Sequence, residues 1–101
     1  MGLKEIVANK KLKIELTNLY CGITDYFLDI IEDVEQNRLS KSVGADMLKL
    51  VYDSGKNDYA KLKGSNPSLD KQFIERDKSF NSLFKDIENA IERYNVNGYL
   101  L

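Results

Sequence analysis

Residues 12–34 read LKIELTNLYCGITDYFLDIIEDV. At 100° per residue, Leu12, Leu16, Leu19, Tyr20, Ile23, Phe27, Ile30, Ile31 and Val34 share one broad stripe, and Asp25, Asp29, Glu32 and Asp33 lie on the opposite side. An apolar face of that length, uninterrupted by Pro, predicts an amphipathic helix over about 12–36. Such a face is stable only when another layer of structure covers it.

Two more helices supply that cover. Leu39, Val43, Met47, Leu50, Val51, Gly55, Tyr59 and Leu62 keep helical spacing, with Ser40 as N-cap and Gly64 in the C′ place, which predicts a helix over about 41–63. Asn66-Pro67 is an N-cap followed by Pro at the first helical position. Leu69, Phe73, Phe80, Phe84, Ile87, Ile91 and Tyr94 then carry a third helix over about 67–94. Alternation with period two is confined to Leu12-Ile14-Leu16, so no sheet is expected. Both connections are short, so neighbouring helices run antiparallel. The expectation is an all-α, up-down-up bundle of three long helices forming one domain over residues 1–101.

The N-terminal piece does not fit this frame. Leu3, Ile6 and Val7 lie roughly 140° around the helix from the stripe that begins at Leu12. Either the helix breaks near Asn9, giving a bent extension and a four-helix arrangement, or it overhangs its partners by roughly 10 Å. At the other end, Asn95, Asn97 and Gly98 are stop signals that leave Tyr99, Leu100 and Leu101 outside the third helix.

Composition narrows the chemistry. The chain has 101 residues, 43% hydrophobic and 31% charged, with one Pro, which is the make-up of a folded domain. It contains no His, which excludes His-based acid/base catalysis, Ser/His and Cys/His nucleophiles, and His-containing metal sites. Glu32/Glu35 and Glu88/Glu92 have metal-ligand spacing but lie off the apolar stripes, so neither a metal nor a cofactor is expected. Asp53-Ser54-Gly55-Lys56 lacks the spacing of a phosphate loop. The lone Cys21 flanks the stripe as an inert, partly buried thiol. With no secretory signal and no apolar run of about 18 residues, a cytoplasmic protein is expected.

Charge is segregated although the net value is only −1. Residues 14–35 hold six acidic residues and no basic one, whereas residues 1–13 and 36–63 each carry a net +3. Asp25, Asp29, Glu32 and Asp33 therefore form a negative stripe suited to steering a basic partner protein. Leu3, Ile6, Val7, Tyr99, Leu100 and Leu101 are apolar side chains outside the three-stripe core. They are candidate contacts for that partner or for weak self-association. Tyr52 and Tyr99 are the aromatics expected to be available. Within the core, Arg76 and Asp58 are expected to pair across a hairpin that turns near residues 65–66.

Size and architecture resemble the bacteriocin immunity proteins of bacteria, which are also small helical bundles, through a compact Lys-rich bundle with a distinct C-terminal tail. The secreted WXG-type hairpins fit less well, because the chain has no Trp and its turns read Gln36-Asn37-Arg38-Leu39 and Gly64-Ser65-Asn66-Pro67. The resemblance is one of class and transfers no residue. The expected function is non-enzymatic binding of a partner protein, as inhibitor, adaptor or immunity/antitoxin protein. The alternatives are an immunity-like role at a membrane face, or a regulator using the Lys-rich N-terminus on nucleic acid or as a peripheral membrane contact. Nucleic acid is disfavoured by the absence of an overall positive field.

Overall fold

The computed structural model describes residues 2–95 and consists of three α-helices: α1 (Leu3–Glu35), α2 (Lys41–Ser65) and α3 (Asp70–Tyr94). A single 3-10 turn, Pro67–Leu69, precedes α3, and no strand occurs among the described residues. None of the described helices is long and apolar enough to cross a membrane. The all-α, up-down-up bundle expected from the sequence is the observed architecture.

The α1/α2 turn is built by its residue types. Asn37 adopts a φ of 61°, a left-handed conformation that Asn tolerates better than most side chains. It lets the Asn37 N–H donate to the Val34 carbonyl (3.1 Å) and the Arg38 N–H to the Asp33 carbonyl (2.8 Å). These two bonds are the Schellman closure of a helix C-terminus. Ser40 then caps α2, its side chain accepting from the Val43 N–H at 3.1 Å.

The second turn differs from the sequence expectation. α2 runs through Gly64 to Ser65, and the Asn66 side-chain amide donates back to the Leu62 carbonyl at 2.9 Å. Asn66 thus caps the end of α2, and Pro67 opens the 3-10 turn, with α3 starting only at Asp70. This later turn moves the α2/α3 register. Tyr59 faces Asp77 and Tyr52 faces Glu88, which centres the hairpin near residue 69. The Asp58–Arg76 pair is therefore absent: Arg76 donates to the Thr17 hydroxyl at 3.3 Å, and Asp58 lies on the α1 side of α2.

α1 does not break at Asn9. It is one helix of 33 residues, and the Gln72 side-chain amide fastens Asn9 to the start of α3 by bonds to its carbonyl (3.2 Å) and Oδ1 (2.8 Å). The overhang alternative holds, with Leu3, Ile6 and Val7 exposed, and there is no fourth helix among the described residues. Lys10, Lys11 and Lys13 sit inside a helix rather than at a new N-terminus, so the macrodipole penalty such a start would bring does not arise.

The core is organised around α2, which approaches both neighbours more closely than they approach each other. Its buried face is Gly44, Ala45, Leu48, Gly55 and Tyr59. A Cβ placed on Gly44 would lie 2.5 Å from Val34 Cγ2 and 3.5 Å from the Tyr94 ring; one on Gly55 would lie 2.8 Å from Ile23 Cδ1 and 3.1 Å from Phe84 Cε1. Each glycine is thus a point where α1 and α3 close on α2 together. Phe80, Leu16, Leu48 and Ile87 fill the space between and are fully buried. The face differs from the expected stripe, since Val43, Met47 and Leu50 are exposed while smaller neighbours are inside.

This geometry separates two glycine substitutions. Gly44→Ala should lower stability by about 1–2 kcal/mol, because overpacking against the stiff Val34 exceeds the gain in helix propensity. Gly22→Ala enters open space in mid-helix and should raise stability by about 0.5–1 kcal/mol. Urea denaturation at constant m-value checks both signs.

Candidate functional site

One of the side chains displaced from the α2 core, Leu50, lines a surface groove. An open groove of about 400 Å³ runs between α1 and α2, lined by Leu19, Gly22, Ile23 and Tyr26 on one helix and Leu50, Val51, Ser54, Gly55 and Asp58 on the other. Gly22 contributes no side chain and keeps the wall low. Tyr26 and Leu50 stand on the rims, 67% and 71% exposed. The groove continues past Asn18, Leu19 and Asp58 to Glu15, Lys61 and Leu62. Exposed Val43 and Met47 extend the apolar character of α2 towards its start.

The acidic stripe lies on the same helix as one wall of this groove. Asp25, Asp29 and Glu32 are exposed on α1, and Asp33 is half-buried. Arg38 takes two of the four: its Nε lies 2.8 Å from Asp33 Oδ1, and its other end lies 3.9 Å from Glu32. Glu15, Asp25, Asp29 and Asp58 enter no ion pair among the described residues. Of the four stripe carboxylates, Asp25 and Asp29 are therefore the two without an ion pair among the described residues. Leu3, Ile6 and Val7 lie at the overhanging end of the helix, away from the groove, whereas Tyr99, Leu100 and Leu101 lie outside the described residues.

Some candidates from the sequence are committed elsewhere. Tyr52 is half-buried, packs edge-on against Phe84, and donates its hydroxyl proton to Glu88 at 2.5 Å. It is a strut between α2 and α3, and the aromatic that solvent reaches is Tyr26. Cys21 is exposed rather than partly buried. Among the described residues, no three acidic or Cys side chains converge as a metal set would require.

The α2/α3 seam carries a polar cluster that sequence reading missed, because it depends on the shifted register. Tyr59, stacked on Phe80, donates its hydroxyl to Asp77, and Lys63 donates to both Asp77 oxygens at 2.9 and 3.0 Å. Burial, reinforced by Asp77, pushes the Tyr59 hydroxyl well above the usual tyrosine range. Burial works against the charged form of Asp77, but the bonds from Tyr59 and Lys63 outweigh it and hold the carboxyl below its ordinary value. Together these contacts clasp α2 to α3.

No family model, curated protein or solved structure matches the chain, so its surfaces are read on their own chemistry.

The clasp makes stability depend on pH at both extremes. Tyr59, with its pKa raised, contributes fully below about pH 10 and loses that contribution as pH rises further. Asp77, with its pKa lowered, contributes above about pH 4 and loses it as pH falls below that value. Tyr59→Phe should cost about 1–2 kcal/mol at neutral pH and flatten the alkaline limb, and Asp77→Asn should flatten the acid limb. Urea midpoints measured across the pH range test both.

Proposed function

We propose that the protein acts without catalysis, by binding a partner protein in the groove between α1 and α2. The observation that supports this reading is the pair of large apolar side chains, Tyr26 and Leu50, standing two-thirds exposed on either rim of an apolar channel. Isolated exposed apolar residues need no explanation, but a lined groove bordered by polar groups fits a contact surface. Its occupant is an amphipathic helix, because a groove between two antiparallel helices takes a third helix by ridges into grooves.

The occupant is also basic beside its apolar face. Glu15 and Asp58 line the groove and enter no ion pair among the described residues, so a partner carrying Lys or Arg on its flanks meets complementary charge. Burying the Tyr26 and Leu50 side chains contributes roughly 1.5–3 kcal/mol each before association costs. An inhibitor, an adaptor and an immunity or antitoxin protein all work in this way.

A library of helical peptides with one apolar face and basic flanks, paired with the same peptides carrying acidic flanks, tests the reading by titration. The basic set should bind and the acidic set should not. Leu50→Asp should weaken binding at least tenfold, a loss of about 1.4 kcal/mol. Ile74→Asp, on the exposed side of α3, should leave it unchanged. Absence of binding by both sets, or binding indifferent to Leu50→Asp, would overturn it.

A further inference from the structure

We propose that a second copy of the chain packs antiparallel along the outer face of α1, with the two-fold axis passing between Thr17 and Asn18. The proposal is independent of the partner groove, which lies to one side of this face.

Four side chains mark the face. Val7, Ile14, Cys21 and Leu28 recur at intervals of seven residues along one unbroken helix, and all four are exposed, Val7, Ile14 and Leu28 by 52, 61 and 55%. Side chains seven residues apart drift only about 20° per step around a helix, so these four form one apolar row along the outer side of α1 that can seat against the same row of a second copy. The core stripe of α1 is a separate set of residues, so the repeat is not required by the bundle.

Charge selects the orientation and the register. The first half of α1 carries Lys4, Lys10, Lys11 and Lys13, and the second half carries only acids. A parallel pair would set lysines against lysines and carboxylates against carboxylates. An antiparallel pair with Val7 opposite Leu28 of the second copy also sets Ile14 opposite Cys21, Lys10 opposite Asp25, and Lys11 within one residue of Asp25. The apolar repeat and the ionic complement therefore agree on one alignment, and the two-fold symmetry satisfies each pairing twice. Because α1 is one continuous helix from Leu3 to Glu35, its two ends cannot meet within one molecule. Asp25 is in no ion pair among the described residues, so a cation of a second copy can neutralise it. The contact runs for roughly 32 Å along the helix, and it uses the Leu3–Val7 overhang that the bundle leaves bare.

Sedimentation equilibrium of the full chain is the first test. The mass should rise from 11.6 kDa towards twice that value as concentration increases. The double variant Lys10→Glu/Lys11→Glu and the single variant Asp25→Lys should each stay monomeric. An equimolar mixture of the two should dimerise again, because in the mixed pair both halves have opposite charges facing. All three positions are exposed, so circular dichroism should show unchanged helix content. Ile14→Cys should oxidise to a covalent dimer through Cys21 of the second copy, and Val7→Cys should not. A wild-type chain that remains monomeric throughout, a mixture that does not recover the dimer, or Ile14→Cys that gives no crosslink beyond wild type would overturn the proposal.

Discussion

At Gly44 and Gly55 there is no room for a methyl group, and the rest of the bundle is arranged around that fact. Each glycine receives a side chain from α1 and an aromatic ring from α3, Val34 with Tyr94 at one and Ile23 with Phe84 at the other. The helix that carries no side chain at these points is the one both neighbours can approach, so α2 becomes the central element although α1 is the longest. Close approach on one side of α2 has a consequence on another. The bulkier Val43, Met47 and Leu50 are left exposed outside the narrow interface, and Leu50 lines the groove. Core packing and candidate binding surface thus have one origin.

The legible part of the fold was the part governed by periodicity and turn chemistry. The stripe from Leu12 to Val34, the Ser40 cap and the Asn37 turn each act locally, over a few residues, and local rules read them correctly. The misread part concerned distances between helices. Counting Leu50 as core follows from weighting hydrophobicity alone, whereas a close helix contact ranks residues by size first. The misplaced Asp58–Arg76 pair has a similar cause. Taking Asn66-Pro67 as the start of α3 ignored the extra residues of a 3-10 turn, and a displacement of a few residues at a hairpin turn rotates every later pairing. Tyr59 and Asp77 meet only in the shifted register.

The candidate site was legible in its charge and illegible in its shape. The acidic run between residues 14 and 35 is visible in the sequence, and its exposure follows from its position opposite the apolar stripe. Arg38 could not be assigned to Glu32 and Asp33 beforehand, because that contact depends on the Schellman turn bringing Arg38 back over the last turn of α1. Tyr26 escaped notice for a related reason. It sits at the margin of the stripe, where a side chain is buried or exposed according to how large its neighbour on the next helix is, and Gly22 together with the displaced α2 face leaves it open.

The length of α1 bears on which surfaces the bundle leaves open. A helix of 33 residues supported by partners of 25 has more length than its own bundle can cover, so part of its surface is always available. Segregating lysines at one end and carboxylates at the other gives that surface a direction, since like ends repel and unlike ends attract. In a bent helix the two halves could have neutralised each other internally. In the observed fold α1 is continuous, and the Gln72–Asn9 contact ties its N-terminal part to the start of α3. One continuous helix thereby maintains the charge pattern along its length, and any partner that recognises α1 meets a charge order that is fixed before binding.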